Sequence, residues 1–391
     1  MQESKQTILM KCCICIGGSV GLISNSFGIF YSPIAEEMQL GIGRISIMAT
    51  IISLASAVFL PVFSRLMKHV KMNHLMAMGV LLASAAYLVM SWIHDIRVYY
   101  LCSVFLGIGA VCFSNFPVSI LLKEWYGDRN GSALGIALAF SGLAGALANP
   151  LIGKLITGSG YELSMRLIAV FLLVTCFPAS LTVHRAEEVQ DSGTQGSNAV
   201  MSAALPLSLL VLIIVTTSSF NAVNGLNSHM SALAIDSGYS LEFSGFVVSA
   251  VMIANMTFKI IFGFIADRIS VTRTIRIYMT LCTAGIIALL FMRTVPVILM
   301  IGAALYATDF SNSTIGGPLI MQKIAKDRYS EVYPKVAIFN TLSYALMTSA
   351  YGLLKDASGS YTLPLIVAVT ICAGALVLNE VLGKYMKEET A

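Results

Sequence analysis

Charge is what this chain of 391 residues has least of: Asp, Glu, Lys and Arg together make up 11%, under half of what a water-exposed surface needs. That shortage excludes a water-soluble enzyme. The net charge of +4 comes without a Lys/Arg run or an aromatic-basic array, which excludes nucleic acid as a partner. There is also no cysteine pattern suited to a disulfide framework. The eight cysteines, at 12, 13, 15, 102, 112, 176, 282 and 372, all fall in or beside apolar stretches, where thiols act as small buried hydrophobes. Cys12 and Cys15 form a CxxC, but no second Cys/His pair stands near it to complete a metal site. Neither HExxH, GxSxG nor a Walker lysine loop occurs, and no pair of acids inside an apolar segment could hold a metal. No cofactor is therefore expected, and any work the chain does must draw on a gradient.

What the chain has instead is apolar surface: 57% hydrophobic residues, with 31 glycines besides. Charge-poor segments recur at 8–33, 45–64, 75–93, 98–122, 131–153 and 166–183, then at 205–231, 243–266, 275–292, 294–322, 336–354 and 361–383. They are too long for buried strands and lack a barrel's strict alternation. In hydrocarbon only a helix satisfies its own backbone groups, so twelve transmembrane helices are expected in a lipid bilayer. Lys5 and Lys11 stand before a long apolar run, and no small-residue cleavage site follows a short one, which reads as an uncleaved first span. The polar stretch 184–204 divides six segments from six. It predicts a flexible cytoplasmic link between a bundle formed by 1–183 and another formed by 205–391.

Basic residues sort by side. With the N-terminus inside, seventeen Lys and Arg lie in inner segments and six (Arg44, Arg97, Lys154, Arg166, Arg293 and Lys355) in outer loops, which predicts a multi-pass cell-membrane protein with both termini cytoplasmic. An internal echo supports two related halves. Phe113-Ser114-Asn115 in the fourth segment recurs as Phe310-Ser311-Asn312 in the tenth, 197 residues later, each followed by a proline, Pro117 or Pro318. A parallel duplication of a six-helix unit predicts that offset and places a site between the halves near the bilayer midplane.

The remaining basic residue, Lys259, lies inside the eighth span and Asp309 inside the tenth. An ammonium at mid-helix costs roughly 2.5–3.5 kcal/mol on insertion scales, so it is retained for a partner, for a hydrated cavity, or for both. Asn255, one turn earlier, is placed to hold that ammonium without neutralising it. Asp309 has two open roles, a static ion pair with Lys259 or a carboxyl that takes up and releases a proton. His229, near the outer end of the seventh span, is a second titrating candidate, although a histidine at a helix end is more often solvated. Of thirteen asparagines, Asn25, Asn115, Asn149, Asn221, Asn224, Asn227, Asn255, Asn312 and Asn340 fall in spans one, four, five, seven, eight, ten and eleven. Two readings stay open: amides lining a hydrated interior, and amides bonding helices to one another.

Two sets of motifs resemble known families. The stretch Gly263-Phe-Ile-Ala-Asp-Arg-Ile-Ser270 is similar to the loop signature of the major facilitator superfamily, with Gly263, Asp267 and Arg268 matching and Ser270 replacing the second glycine. In the equivalent first-half loop, Ser64 and Lys68 replace the glycine and the acid. More specifically, SFGIFYSPIAEEM at 26–38 and WYGDRNGSALGIALAFSGLAG at 125–145 resemble the monocarboxylate transporter and oxalate:formate antiporter group. The resemblance implies an all-α membrane protein of two pseudo-symmetric six-helix bundles. It further implies that Lys259 binds an anion, that Gly263, Asp267 and Arg268 form a gating loop, and that Asn255 stands where those transporters carry an acid. Proton transfer would then have to move elsewhere, with Asp309 the candidate. Where the antiporters are expected to carry a second cation in span eleven, this chain offers Asn340, Ser343 and Tyr344.

These readings converge on a secondary transporter of small organic anions, monocarboxylate-like, that alternates access around a central site and works as a monomer. Lys259 would bind the carboxylate, with Asn255, Asn25, Asn115, Asn221, Asn224, Asn340 and Tyr344 as polar neighbours and with Asp309 and His229 as proton-coupling candidates. Symport with protons is the first expectation; exchange and uniport stay open. An efflux facilitator for drugs or other small molecules would use the same fold with a greasier cavity, which 20 methionines and 19 phenylalanines permit. A non-transporting membrane sensor is the remaining alternative.

Overall fold

The computed structural model describes residues 4–67, 69–126, 130–185, 206–291, 295–325 and 329–388. Twelve helical rods fill them, with no strand among the described residues. They are α1 (Lys5–Glu37), α2 (Ile42–Leu66), α3 (Met72–Met90), α4 (Ile96–Tyr126), α5 (Asn130–Ser159), α6 (Tyr161–Leu181), α7 (Leu207–Asp236), α8 (Leu241–Arg268), α9 (Val271–Leu290), α10 (296–325), α11 (Tyr329–Ser358) and α12 (Thr362–Glu388). Ten are long and apolar enough to cross a membrane as they stand. The two others, α10 and α11, complete the expected twelve. Most of the 184–204 link lies outside the described residues, as do Lys68 and Arg129.

The rods outrun their apolar segments, because polar residues at a helix end cap it without breaking its ladder. Ser4 Oγ accepts from Thr7 N at 3.2 Å, Asp95 Oδ1 from Arg97 N at 2.8 Å, and Ser240 Oγ from Phe243 N at 3.2 Å. The repeated triplets mark breaks. Helical geometry in α4 lapses at Phe113–Ser114, and in α10 it lapses at Ala307–Thr308 before a π turn over Asn312–Gly316. At the α4 break the Phe113 carbonyl accepts from Ser19 Oγ of α1 at 3.2 Å, which satisfies a backbone group freed by the kink.

Within the first half α3 packs on α4 and α6, and α2 on α4; within the second α7 packs on α11 and α12, and α9 on α10 and α12. The halves meet where α5 lies along α8 and α2 along α11. Both seams are tightest toward the end remote from the termini. A Cβ on Gly245 would come within 2.7 Å of the Asn149 carbonyl and one on Gly153 within 3.2 Å of the Leu241 carbonyl, while Ser249 Oγ donates to the Ala146 carbonyl at 2.7 Å. On the other seam Thr50 Oγ1 donates to the Ala345 carbonyl, and Asp356 Oδ2 accepts from Gly43 N at 2.7 Å. That carboxylate sits at the positive end of the α2 dipole, so one half caps a helix of the other. Gly28 of α1 lies so close to the Ser228 carbonyl of α7 that any side chain there would collide with it.

Toward the end that carries the termini the α5–α8 seam opens. Gly142 still touches Met252 and Met256, but Gly135 and Gly263, seven residues further along each helix in the same register, have nothing within 4 Å of their Cβ positions. The structure is thus closed at the far end and parted at the near one. Replacing the trans cap, Asp356→Ala, is expected to weaken the closed end by about 0.5–2 kcal/mol. The measurement is the rate at which an impermeant maleimide labels a cysteine introduced at Ser349; an unchanged rate would mean that the cap does not hold the seam.

Candidate functional site

Along α8, Gly245, Ser249, Met252 and Met256 face α5 at alternating steps of four and three, and Lys259 is the next position on that stripe. Its amine therefore emerges where the helices part. The Nζ lies 6.0 Å from the centre of the Phe310 ring, at the outer limit of a cation–π contact. It forms no ion pair with Asp309 or with any other acid among the described residues, so a static pair with Asp309 is not what this conformation contains. The expected grip of Asn255 is absent as well. That amide is buried and its Oδ1 has no hydrogen-bond partner, while the amine turns to the aromatic face.

Asp309 points elsewhere. Fully buried in the second half, it lies within electrostatic reach of Cys372, Cys282, Tyr306 and Tyr351, and neither carboxyl oxygen makes a hydrogen bond. Asn312, one turn along, is equally buried and has both amide atoms unpartnered. The geometry follows from helical rotation. Consecutive residues stand about 100° apart, so when Phe310 meets Lys259 its neighbour Asp309 must face the bundle interior.

The sequence left two readings open for the asparagines. Asn340 Oδ1 accepts from Thr217 Oγ1 at 2.9 Å and Ser218 Oγ at 3.3 Å, joining α11 to α7. Asn224 Nδ2 donates to Ser313 Oγ at 2.6 Å, joining α7 to α10, and Asn221 Nδ2 donates to the Thr217 carbonyl of its own helix at 2.9 Å. These amides hold helices. Asn25 is half-buried and Asn115 exposed, and neither makes a side-chain hydrogen bond among the described residues. Asn115 stands at the α4 break, where its amide is open on the surface of the bundle.

Tyr344 and His229 belong to the closed end. Tyr344 Oη lies 3.3 Å from Ser228 Oγ. His229 is fully buried rather than solvated, because α7 continues to Asp236, two turns past it. Its Nε2–H donates to the Thr348 carbonyl at 2.7 Å, and its Nδ1 lies 3.0 Å from Tyr361 Oη. The ring meets Tyr31 of the opposite half edge-on, with centroids 5.4 Å apart. The imidazole is a plug between α1, α7, α11 and α12. Thr217, Ser218, Ser228, Ser313 and Thr348 were not singled out in the sequence, and Phe310 was marked there only as part of the repeated triplet. Only Thr217, one turn before Asn221, carried a spacing signal. Of the gating-loop residues, Gly263 lies where the seam has opened and Arg268 is exposed at the end of α8; the Asp267 side chain lies outside the described residues.

Relatives of known activity fit this arrangement at several distances. The chain is 25% identical over 181 residues to the riboflavin transporter RibJ of Trypanosoma brucei brucei, a match spanning 44% of this chain and only 32% of that protein. It is 20% identical over 352 residues to monocarboxylate transporter 12 of Mus musculus, covering 79% of this chain and 70% of the relative. With monocarboxylate transporter 13 of Rattus norvegicus it is 20% identical over 365 residues, covering 91% and 84%. Among solved structures it resembles the nucleoside transporter NupG, with a TM-score of 0.77 at 11% identity over 98% of each chain. It also resembles a bacterial homologue of the human lysosomal transporter Spinster, with a TM-score of 0.71 at 11% identity, covering 99% of this chain and 97% of that one. At such identity the structures speak for the fold alone. The family profile of the Major Facilitator Superfamily matches residues 13–352, and this multi-pass membrane protein belongs to that superfamily.

Proposed function

We propose that the protein is a secondary transporter of small organic anions, monocarboxylate-like, working by alternating access. The observation that carries the reading is the Lys259 ammonium: it stands at the mouth of the parted α5–α8 seam, faced by an aromatic ring and paired with no acid among the described residues. A carboxylate entering that gap would meet a positive charge not already neutralised, in surroundings where Coulomb attraction is far stronger than in water. The two monocarboxylate transporters among the relatives support the substrate class. Residues 1–183 and 205–391 would move against each other around the link at 184–204, with Gly263, Asp267 and Arg268 at the near-end gate. The basic-residue asymmetry supports a cell-membrane protein with cytoplasmic termini, which makes the described conformation the one open to the cytoplasm. The chain would act as a monomer.

Asp309 is the proposed proton carrier. Its carboxyl is enclosed within the second half, so a proton could reach or leave it only along a path that opens in another conformation. Coupling would pass through α10, where Phe310, the neighbour of Asp309, touches the binding lysine.

Counterflow in proteoliposomes with labelled lactate, pyruvate, formate, oxalate, riboflavin and a nucleoside tests the substrate class. Lactate or pyruvate should exchange, and Lys259→Ala should cut that exchange at least tenfold, the equivalent of about 1.4 kcal/mol of lost binding. Exchange confined to riboflavin or the nucleoside would sink the anion assignment. For coupling, Asp309→Asn should abolish the stimulation of uptake by an imposed pH gradient while leaving counterflow within a few-fold of the parent. A variant that still responds to the gradient would remove Asp309 from the proton path.

A further inference from the structure

A second polar constellation lies outside the central site, on the far face of the first half. Glu37 ends α1, His94 lies in the turn between α3 and α4, and Glu162 sits in the first turn of α6. His94 Nδ1 lies 2.8 Å from Glu37 Oε1, and its Nε2 lies 4.0 Å from Glu162 Oε1. One ligand atom from each of the three residues falls within 4.8 Å of the other two. Gly160 gives this placement its form. It adopts φ +85°, and Glu162 Oε2 occupies the space that a Cβ on Gly160 would need, so the turn is shaped to fold that carboxylate back toward the imidazole. Beside the three residues opens a cleft of about 450 Å³ that Glu36, Glu37, Tyr161 and Glu162 share with Ile235 and Leu241 of the other half.

With Nδ1 held by Glu37, Nε2 is the ring nitrogen that faces the second carboxylate, and at 4.0 Å no hydrogen bond closes that gap. A cation placed there would meet an imidazole nitrogen on one side and a carboxylate oxygen on the other. Zinc–nitrogen and zinc–oxygen bonds are each about 2.0–2.2 Å, so a tetrahedral N–metal–O bridge spans roughly 3.3–3.6 Å. The observed gap is 4.0 Å, and a small turn of the part-exposed Glu162 carboxylate would close it onto an ion. A carboxylate hydrogen-bonded to the remote nitrogen of a ligating histidine is also the usual device for fixing its tautomer and orientation. Imidazole with carboxylate suits a borderline cation rather than Mg²⁺ or Ca²⁺.

We propose that this constellation binds a divalent transition-metal cation of the zinc class. His94 Nε2 and Glu162 are its ligands, Glu37 is the orienting carboxylate, and water from the cleft completes the shell. Glu37 belongs to the same short helical piece as Tyr31, which packs on His229, so an occupied site would tie the closing end of α1 to α6 within the first half.

The test uses the full chain with any affinity tag removed, purified in detergent and titrated with ZnCl₂ by calorimetry. CoCl₂ serves as a spectroscopic probe of the coordination shell. One Zn²⁺ per chain is expected, unaffected by millimolar Mg²⁺. His94→Ala and Glu162→Gln should each weaken binding at least tenfold, and Glu37→Gln by about 10–100-fold. All three residues are at the surface, and an unchanged elution profile verifies that each variant folds. Absence of zinc binding overturns the proposal, and so does binding that survives His94→Ala through His69, His74 or His184. An NMR titration in which His94 takes up a proton but ignores zinc would assign the gap to a proton instead and would equally overturn the metal site.

Discussion

Hydrocarbon offers no hydrogen bonds, and most of this structure follows from that. A chain with 11% charged residues has to satisfy its backbone within each segment, so it becomes a set of helices, and every polar side chain within a span has to find a partner or water. The asparagines meet that demand unequally. Asn224 and Asn340 find hydroxyls on neighbouring helices, Asn115 is left open at the α4 break, and Asn255 and Asn312 are buried with amide atoms unpartnered. Lys259 faces the same requirement with a full charge, and it stands where α5 and α8 separate.

That separation depends on where the small residues lie. Gly153, Gly145 and Gly142 of α5 and Gly245 of α8 let the two backbones approach closely along the far half of the seam, and larger side chains there would hold them apart. On the other seam Gly43 lies in contact with α11, with Asp356 bonded to its N–H. The far end is therefore fastened by main-chain contacts and a trans cap rather than by exposed ion pairs. Such contacts can be remade as the halves rock, because they bury little charge and need no long side chain to be reordered.

Much of the fold could be read directly from the sequence. Twelve apolar segments became twelve rods, and the repeated Phe-Ser-Asn triplet fell on the break in α4 and between the lapse and the π turn in α10. Helix ends were less legible, since hydropathy falls before the hydrogen-bond ladder does; ending the seventh segment at 231 made His229 look terminal when it lies two turns inside. The site was only partly legible. Position in a span located Lys259 and Asp309, but which way each residue faces depends on helix rotation, and a step of one residue sends Phe310 toward the lysine and Asp309 away from it. The i, i+4 spacing of Asn255 and Lys259 permitted a bond that tertiary packing did not form. The hydroxyl partners of Asn340 lie more than 120 residues away in the chain, beyond any local pattern.

The π turn at Asn312–Gly316 begins two residues after Phe310, with Gly317 and Pro318 following. A π turn carries one residue more than the winding around it, and absorbing that surplus would screw everything beyond it by about 100° about the axis. The tenth rod thus holds slack at the very place where the lysine's aromatic neighbour and the enclosed carboxyl are joined. Sliding that loose winding by a single residue could exchange which of the two looks into the gap, without any hydrogen-bond ladder having to be dismantled along the rest of the helix.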